Sequence, residues 1–150
     1  MEEVNYAELL SVYYADDINA LARYIPYFQN KSGKDVASPY DGKQGESSLK
    51  FPVYDSTLMS FVKEASKTKL MDKNYMYKYR QAHIQTEQQE ADAIIYAKDK
   101  DIDLLRAILS RYVLEGQYKG ARWIEGAERK VFLNVLVKLR DLMLDVTSYQ

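Results

Sequence analysis

The sequence predicts a mainly α protein, a single-domain helical bundle of about five to six helices spanning residues 1–150, with room for a short β-hairpin around residues 36–54. Three observations carry this reading. Apolar residues recur at helical spacing in four stretches, near 18–28, 58–65, 102–112 and 132–146. A composition of 47% hydrophobic and 29% charged residues is that of a folded chain rather than a disordered one. A length of 150 residues is enough for one core.

Along the chain, Asn5 is placed to accept from early backbone N–H groups, with Glu8 three residues on as in a capping box, so a short helix follows. Asp16 or Asp17 is expected to cap a second helix carrying Ile18, Leu21, Ala22, Ile25 and Phe28 on one stripe. Pro26 falls inside that stripe and should kink or stop it, because its ring clashes one turn back and it has no N–H. Residues 29–50 contain three of the six glycines and Pro39 and read as an internal loop. Within it "YDG" is a turn between the short arms "DVASPY" and "LKFPVY".

Ser56 is the expected N-cap of a helix with Leu58, Phe61, Val62 and Ala65 on one face. Tyr75, Tyr77 and Tyr79 alternate as in a strand, yet Met76, Tyr79 and Ile84 also suit a helix running into "IQTEQQEADAIIYAKD". Asp101 is a cap for the next helix, whose stripe is Ile102, Leu105, Ile108, Leu109 and Tyr112. Gly116 is expected as its C′ residue in the left-handed conformation, and Gly120 as the residue that lets the backbone turn. Trp123 seals the corner, and Phe132, Val135, Leu136, Leu139, Leu142, Met143 and Val146 describe a long final helix.

Charge and composition narrow the function classes. The absence of cysteine excludes disulfides and thiolate metal sites and fits a reducing compartment. An acidic N-terminus without an apolar h-region, and no apolar run near the ~18–20 residues that cross a bilayer, lead to the expectation of a soluble, cytoplasmic protein without a membrane partner. Net charge is −1, so the chain as a whole does not attract nucleic acid. Residues 116–140, with six bases against two acids, are locally cationic. Fourteen tyrosines suit half-buried seams and interfaces.

Three blocks together resemble a bacterial and phage family of small helical proteins, a domain of unknown function: "ARYIPYF" at 22–28, "FPVYDSTLMSFV" at 51–62, and "LLRAILSRYVLEGQYKGARWIEGAERKVFLNVLVKL" at 104–139. The sequence departs from that pattern at Lys130, where the family tends to have glycine, and at "MDKNYMYKYR", where it tends to have an Asp-Trp pair. The resemblance implies a mainly helical fold and a pocket-lining role for Arg111, Tyr118, Gly120 and Glu128. It implies no activity.

The candidate sites are few. His83, Glu87 and Glu90 lie at the spacing of one helix face and could hold a divalent ion, but a solvated polar face is the plainer reading. No P-loop, nucleophile elbow, dinucleotide fingerprint, metalloprotease motif or EF-hand spacing occurs, so no cofactor is expected and a non-enzymatic role is favoured. Glu125 and Glu128 are read as acids of the first turn of the last helix rather than as a catalytic pair. Arg122 beside Trp123 is an interface candidate, since guanidinium and aromatic groups recur at hot spots. With Arg111, Tyr118 and Glu128 these form the candidate binding surface for a protein partner or a second copy of the chain. Lys73, Tyr75, Tyr77, Lys78, Tyr79 and Arg80 interleave rings and cations, the composition that stacks on bases and neutralises phosphates, and make nucleic-acid binding the alternative.

Overall fold

A computed structural model of the protein describes residues 4–31, 37–39 and 52–148. The helices are α1 (Tyr6–Glu8, continued by a π-helical stretch Leu9–Tyr13), α2 (Ala15–Ala22), α3 (Ile25–Asn30), α4 (Ser56–Ala65), α5 (Tyr75–Gln81), α6 (Glu87–Ile95), α7 (Ile102–Glu115), α8 (Ala121–Glu128) and α9 (Val131–Ser148). The mainly helical class stands, while the expected five to six helices are too few. The extra breaks have local causes. Pro26 sits in the first turn of α3, so the stripe expected over 18–28 splits after Ala22. His83 (φ 58°) and Lys130 (φ 61°) take the left-handed conformation, which ends α5 before α6 and α8 before α9.

The hairpin expected around residues 36–54 is present among the described residues only as a minor pair of short extended segments and not as a substantial element of the fold. Extended pairing among the described residues is limited to Ala37–Pro39 (β1) against Pro52–Tyr54 (β2), antiparallel, with Pro39 opposite Pro52. Pro39 and Pro52, which face each other, have no N–H to give to the ladder. The "YDG" turn and residues 32–36 and 40–51 of the expected loop lie outside the described residues.

Several caps differ from expectation. Asn5 does accept from the Glu8 N–H at 3.0 Å. Asp55, not Ser56, caps α4 by accepting from Thr57, because Ser56 already has helical geometry. Asp16 and Asp17 lie in the first turn of α2, and Asp17 instead accepts from the Lys69 N–H at 3.1 Å. Asp101 accepts from the Lys98 N–H within a short 3-10 turn, Asp99–Asp101, ahead of α7. Gly116 has φ −63° and Gly120 φ −53°, so neither needs the left-handed region. Both positions need a missing Cβ: an added one would overlap the Trp123 indole at Gly116 and the Tyr54 hydroxyl at Gly120.

The core forms where α9 packs on α7 and on the α2 and α3 arm. Leu105, Ile108 and Leu109 of α7 meet Phe132, Val135 and Leu139 of α9, all fully buried. Phe28, Phe61 and Phe132 pack with ring centroids 4.8–5.4 Å apart, which fixes α3, α4 and α9 around one aromatic knot. Arg106 fastens the segment between α4 and α5 by donating to the carbonyls of Lys69, Leu70 and Met71 while it pairs with Asp103. The segment is held from the other side by Ser110, whose Oγ accepts from the Asp72 N–H at 2.8 Å. Together they lay α5 along α7 and open a polar face beside the core. No helix among the described residues is long and apolar enough to cross a membrane.

Candidate binding cleft

The polar face is a cleft of about 460 Å³ walled by α5, α6, α7 and α8. It is built around Glu90, whose side chain is almost fully buried. Its position on α6 explains why: Glu90 lies one turn before Ile94, in phase with the buried side of a helix started by a Thr86–Gln89 capping box. A carboxylate there is tolerated only with partners, and it has several. Tyr79 Oη donates to Oε2 at 2.7 Å, Tyr112 Oη to Oε1 at 2.7 Å, and Arg129 Nη2 to Oε1 at 3.0 Å. Arg129 also donates from Nη1 to Tyr112 Oη at 2.7 Å, so the hydroxyl accepts from one neighbour and donates to the other.

Two further arginines complete the wall. Arg122 is satisfied: Nε donates to Glu115 at 3.0 Å and Nη1 to Glu125 at 2.8 Å. Arg111 is not. Its nearest carboxylate oxygens, on Glu115 and Glu90, stand at 3.8 and 3.9 Å, beyond hydrogen-bond reach, and its Nε is buried without a hydrogen-bond partner. The guanidinium instead lies over the Tyr79 ring, 4.9 Å from its centroid. Met76 and Ile84 contribute an apolar side to the cleft, and Met76 is exposed.

Burial, followed by the Glu90 carboxylate, pushes the Tyr79 phenol well above its ordinary 10.0. Tyr112 is pushed up as well, by burial and then by its hydrogen bond to Glu90. Tyr75 is raised by burial and by the neighbouring Glu115 and Tyr118. The tyrosines around the cleft are therefore neutral donors throughout the physiological range.

The residues singled out from the sequence separate into three groups. Arg111 and Arg122 come together in the cleft wall, joined there by Glu125. Trp123 faces away, buried, with Nε1 donating to the Val113 carbonyl at 3.0 Å and its ring against Tyr54 at 5.3 Å. It lines a separate shallow groove with Met59, Val62 and Gln117. Tyr118 and Glu128 are exposed and do not line the cleft. Glu125 and Glu128 belong to α8, because Lys130 breaks the chain before the last helix; they do not form that helix's first turn.

The Tyr/Lys/Arg stretch is likewise divided by its helix. Tyr79 is buried on Glu90, while Lys73, Tyr77 and Arg80 are exposed and Tyr75 and Lys78 half-buried. The face proposed from His83, Glu87 and Glu90 does not exist, since the left-handed His83 separates α5 from α6 and Glu90 turns inward. Among the described residues no group of three His, Cys, Asp or Glu side chains is placed to hold a metal. Sequence reasoning missed Tyr112, Glu115 and Arg129, and it took Glu90 for a solvated side chain. A polar residue in phase with the apolar positions of a helix, as Glu90 is with Ile94, was the available signal.

Residues 13–144 match a family of unknown function, DUF6508, and the chain belongs to it. No curated protein and no solved structure matches it. Lys130 stands in a left-handed backbone that glycine would adopt without steric cost.

Proposed function

We propose that the protein is a non-enzymatic interaction domain that seats a segment of a partner protein in the cleft between α5, α6, α7 and α8. The observation that supports this reading is Arg111, a guanidinium in the cleft wall with a buried, unpartnered Nε and no carboxylate close enough to accept from it. The buried Nε is out of an occupant's reach, but the Arg111 side chain is 26% exposed and makes no hydrogen bond to a carboxylate, so its terminal nitrogens can take an acceptor from the cleft. A volume of about 460 Å³ lies within the range of ligand sites, and Met76 and Ile84 give the occupant an apolar contact beside the charged one. The nucleic-acid reading loses support, because Tyr79 is turned into the Glu90 network and unavailable for stacking.

The test is selection of a random peptide display library on the purified protein. Selected peptides should lose binding to Met76→Asp, which alters the cleft, and keep it against Tyr96→Asp, which alters an exposed residue outside the cleft lining. Peptides indifferent to Met76→Asp, or a library that yields no binder, would remove the cleft as the interaction site. Sedimentation of the same proteins reads self-association: assembly lost in Met76→Asp would make the partner a second copy of the chain.

A further inference from the structure

Resting on that reading, we propose that the group recognised in the cleft is a carboxylate, seated on the terminal nitrogens of Arg111 and attached to an apolar body that lies against Met76 and Ile84. The sign of the charge follows from counting donors and acceptors. Each carboxylate of the wall already has a cationic partner: Glu90 that of Arg129, Glu125 that of Arg122, and Glu87 that of Arg129 at 3.5 Å. Arg111 alone among the three lining arginines makes no charge-assisted hydrogen bond to a carboxylate, so the unmet demand is for acceptor oxygens.

The kind of anion follows from the net charge. Three guanidinium groups and three carboxylates line the cleft, and Glu115 stands behind Arg122. With no positive surplus, long-range attraction helps neither anion, and a phosphate of charge near −2 costs more to desolvate and to place among the carboxylates than a group of charge −1. A carboxylate carries one charge, and its two oxygens match the planar fork of a guanidinium. Arginine–carboxylate pairs already recur among the cleft's own residues, each through a single short contact, at Arg129 with Glu90 and at Arg122 with Glu115. The carboxylate can come from a peptide C-terminus or from an acidic side chain, and the two differ in what a capped probe retains.

The experiment is an NMR titration of the ¹⁵N-labelled protein that follows the Arg111 Nε–H resonance, which reports on this one side chain. The probes are N-acetylleucine, which carries a terminal carboxylate; the α-amide of N-acetylglutamate, which carries only a side-chain carboxylate; the neutral N-acetylleucinamide; and phenyl phosphate. Saturable shifts of the Arg111 signal are expected with at least one carboxylate probe, and the tighter of the two identifies the source. N-acetylleucinamide should bind roughly 10- to 100-fold more weakly than its acid, the worth of a hydrogen bond to a charged group.

Arg111→Lys keeps the charge but loses the fork and should weaken the carboxylate probe by about 10-fold, with backbone resonances showing that the fold is retained. Equal binding of acid and amide, or a carboxylate that shifts backbone signals elsewhere and leaves Arg111 unmoved, would overturn the proposal. Tighter binding of phenyl phosphate through Arg111 would overturn the carboxylate class and leave the cleft as the site. Display-selected peptides that bind the cleft while none of the four probes moves Arg111 would also sink the carboxylate alone.

Discussion

Two centres flank α7 and α9, and they solve the same packing problem in opposite ways. The Phe28–Phe61–Phe132 knot is dry: three rings in edge-on and tilted contact hold α3, α4 and α9 with no polar atom among them. The Glu90 centre is polar: one buried carboxylate holds α5, α6, α7 and the α8–α9 junction through Tyr79, Tyr112 and Arg129. Tyr112 belongs to both, its ring 6.2 Å from that of Phe132 and its hydroxyl on Glu90. The difference is one of tolerance. A dry knot accepts any ring that fills the volume, whereas a buried charge requires all its partners at once, since a lone charge is far costlier inside than a lone methyl group.

The largest expected effect breaks each centre in turn. Phe132→Ala should lower stability by about 3–5 kcal/mol through the cavity it leaves. Glu90→Ala should cost roughly 2–3 kcal/mol, less than the phenylalanine because the stranded Arg129 and Arg111 are partly reachable by water through the cleft. Glu90→Gln, which still accepts hydrogen bonds, should fall between Glu90→Ala and the wild type. Urea unfolding of the four proteins gives the comparison. A Glu90→Ala protein as stable as the wild type would show that the polar centre is not a structural one.

A smaller effect separates the centres by pH. The Tyr79 phenol is held above its ordinary 10.0 in the folded chain by burial and by Glu90. A raised folded value means that this contribution is complete below pH 10 and is lost as pH rises further, because the unfolded chain then releases a proton that the folded one retains. Stability should therefore decline above about pH 10, and Tyr79→Phe should flatten that decline. Denaturant midpoints measured across the alkaline range test it; an unchanged slope in Tyr79→Phe would show that other groups carry the alkaline loss.

The smallest effect concerns the junction between the centres. Lys130 bears the cost of a left-handed backbone, and its Nζ donates to the carbonyls of Phe28 and Lys31 at 3.2 Å, closing the end of α3. Lys130→Gly relieves the strain and loses the bonds, so it should stay within about 1 kcal/mol of the wild type. Lys130→Ala loses the bonds and keeps the strain, and should be about 1 kcal/mol less stable than the glycine variant. Equal stability of the two would show that the left-handed backbone at this position carries no measurable strain.

The corner at 116–123 shows how far local reasoning reaches. Two glycines before Trp123 are legible as a turn, and Trp123 does close it. The reason for them is not backbone freedom: both have ordinary backbone angles, and what crowds out a side chain is an aromatic group, the Trp123 indole at Gly116 and the Tyr54 hydroxyl at Gly120. The contact at Gly120 joins residues more than sixty positions apart, and no window along the chain contains it.

By itself the sequence determined the helical class, the apolar stripes of α4, α7 and α9, the break at Pro26 and the cap at Asn5. These are properties of periodicity and of single side chains against their own backbone, and they are encoded within one or two turns. Only the tertiary structure decided which polar residues go inside. Glu90 meets Tyr112 and Arg129 across 22 and 39 residues, Tyr79 folds onto the same carboxylate from another helix, and Arg111 is left short of an acceptor by less than an ångström. The physical reason is that a helix pattern fixes which face a residue occupies, while hydrogen bonding depends on distances to within a few tenths of an ångström, set by how separate helices pack.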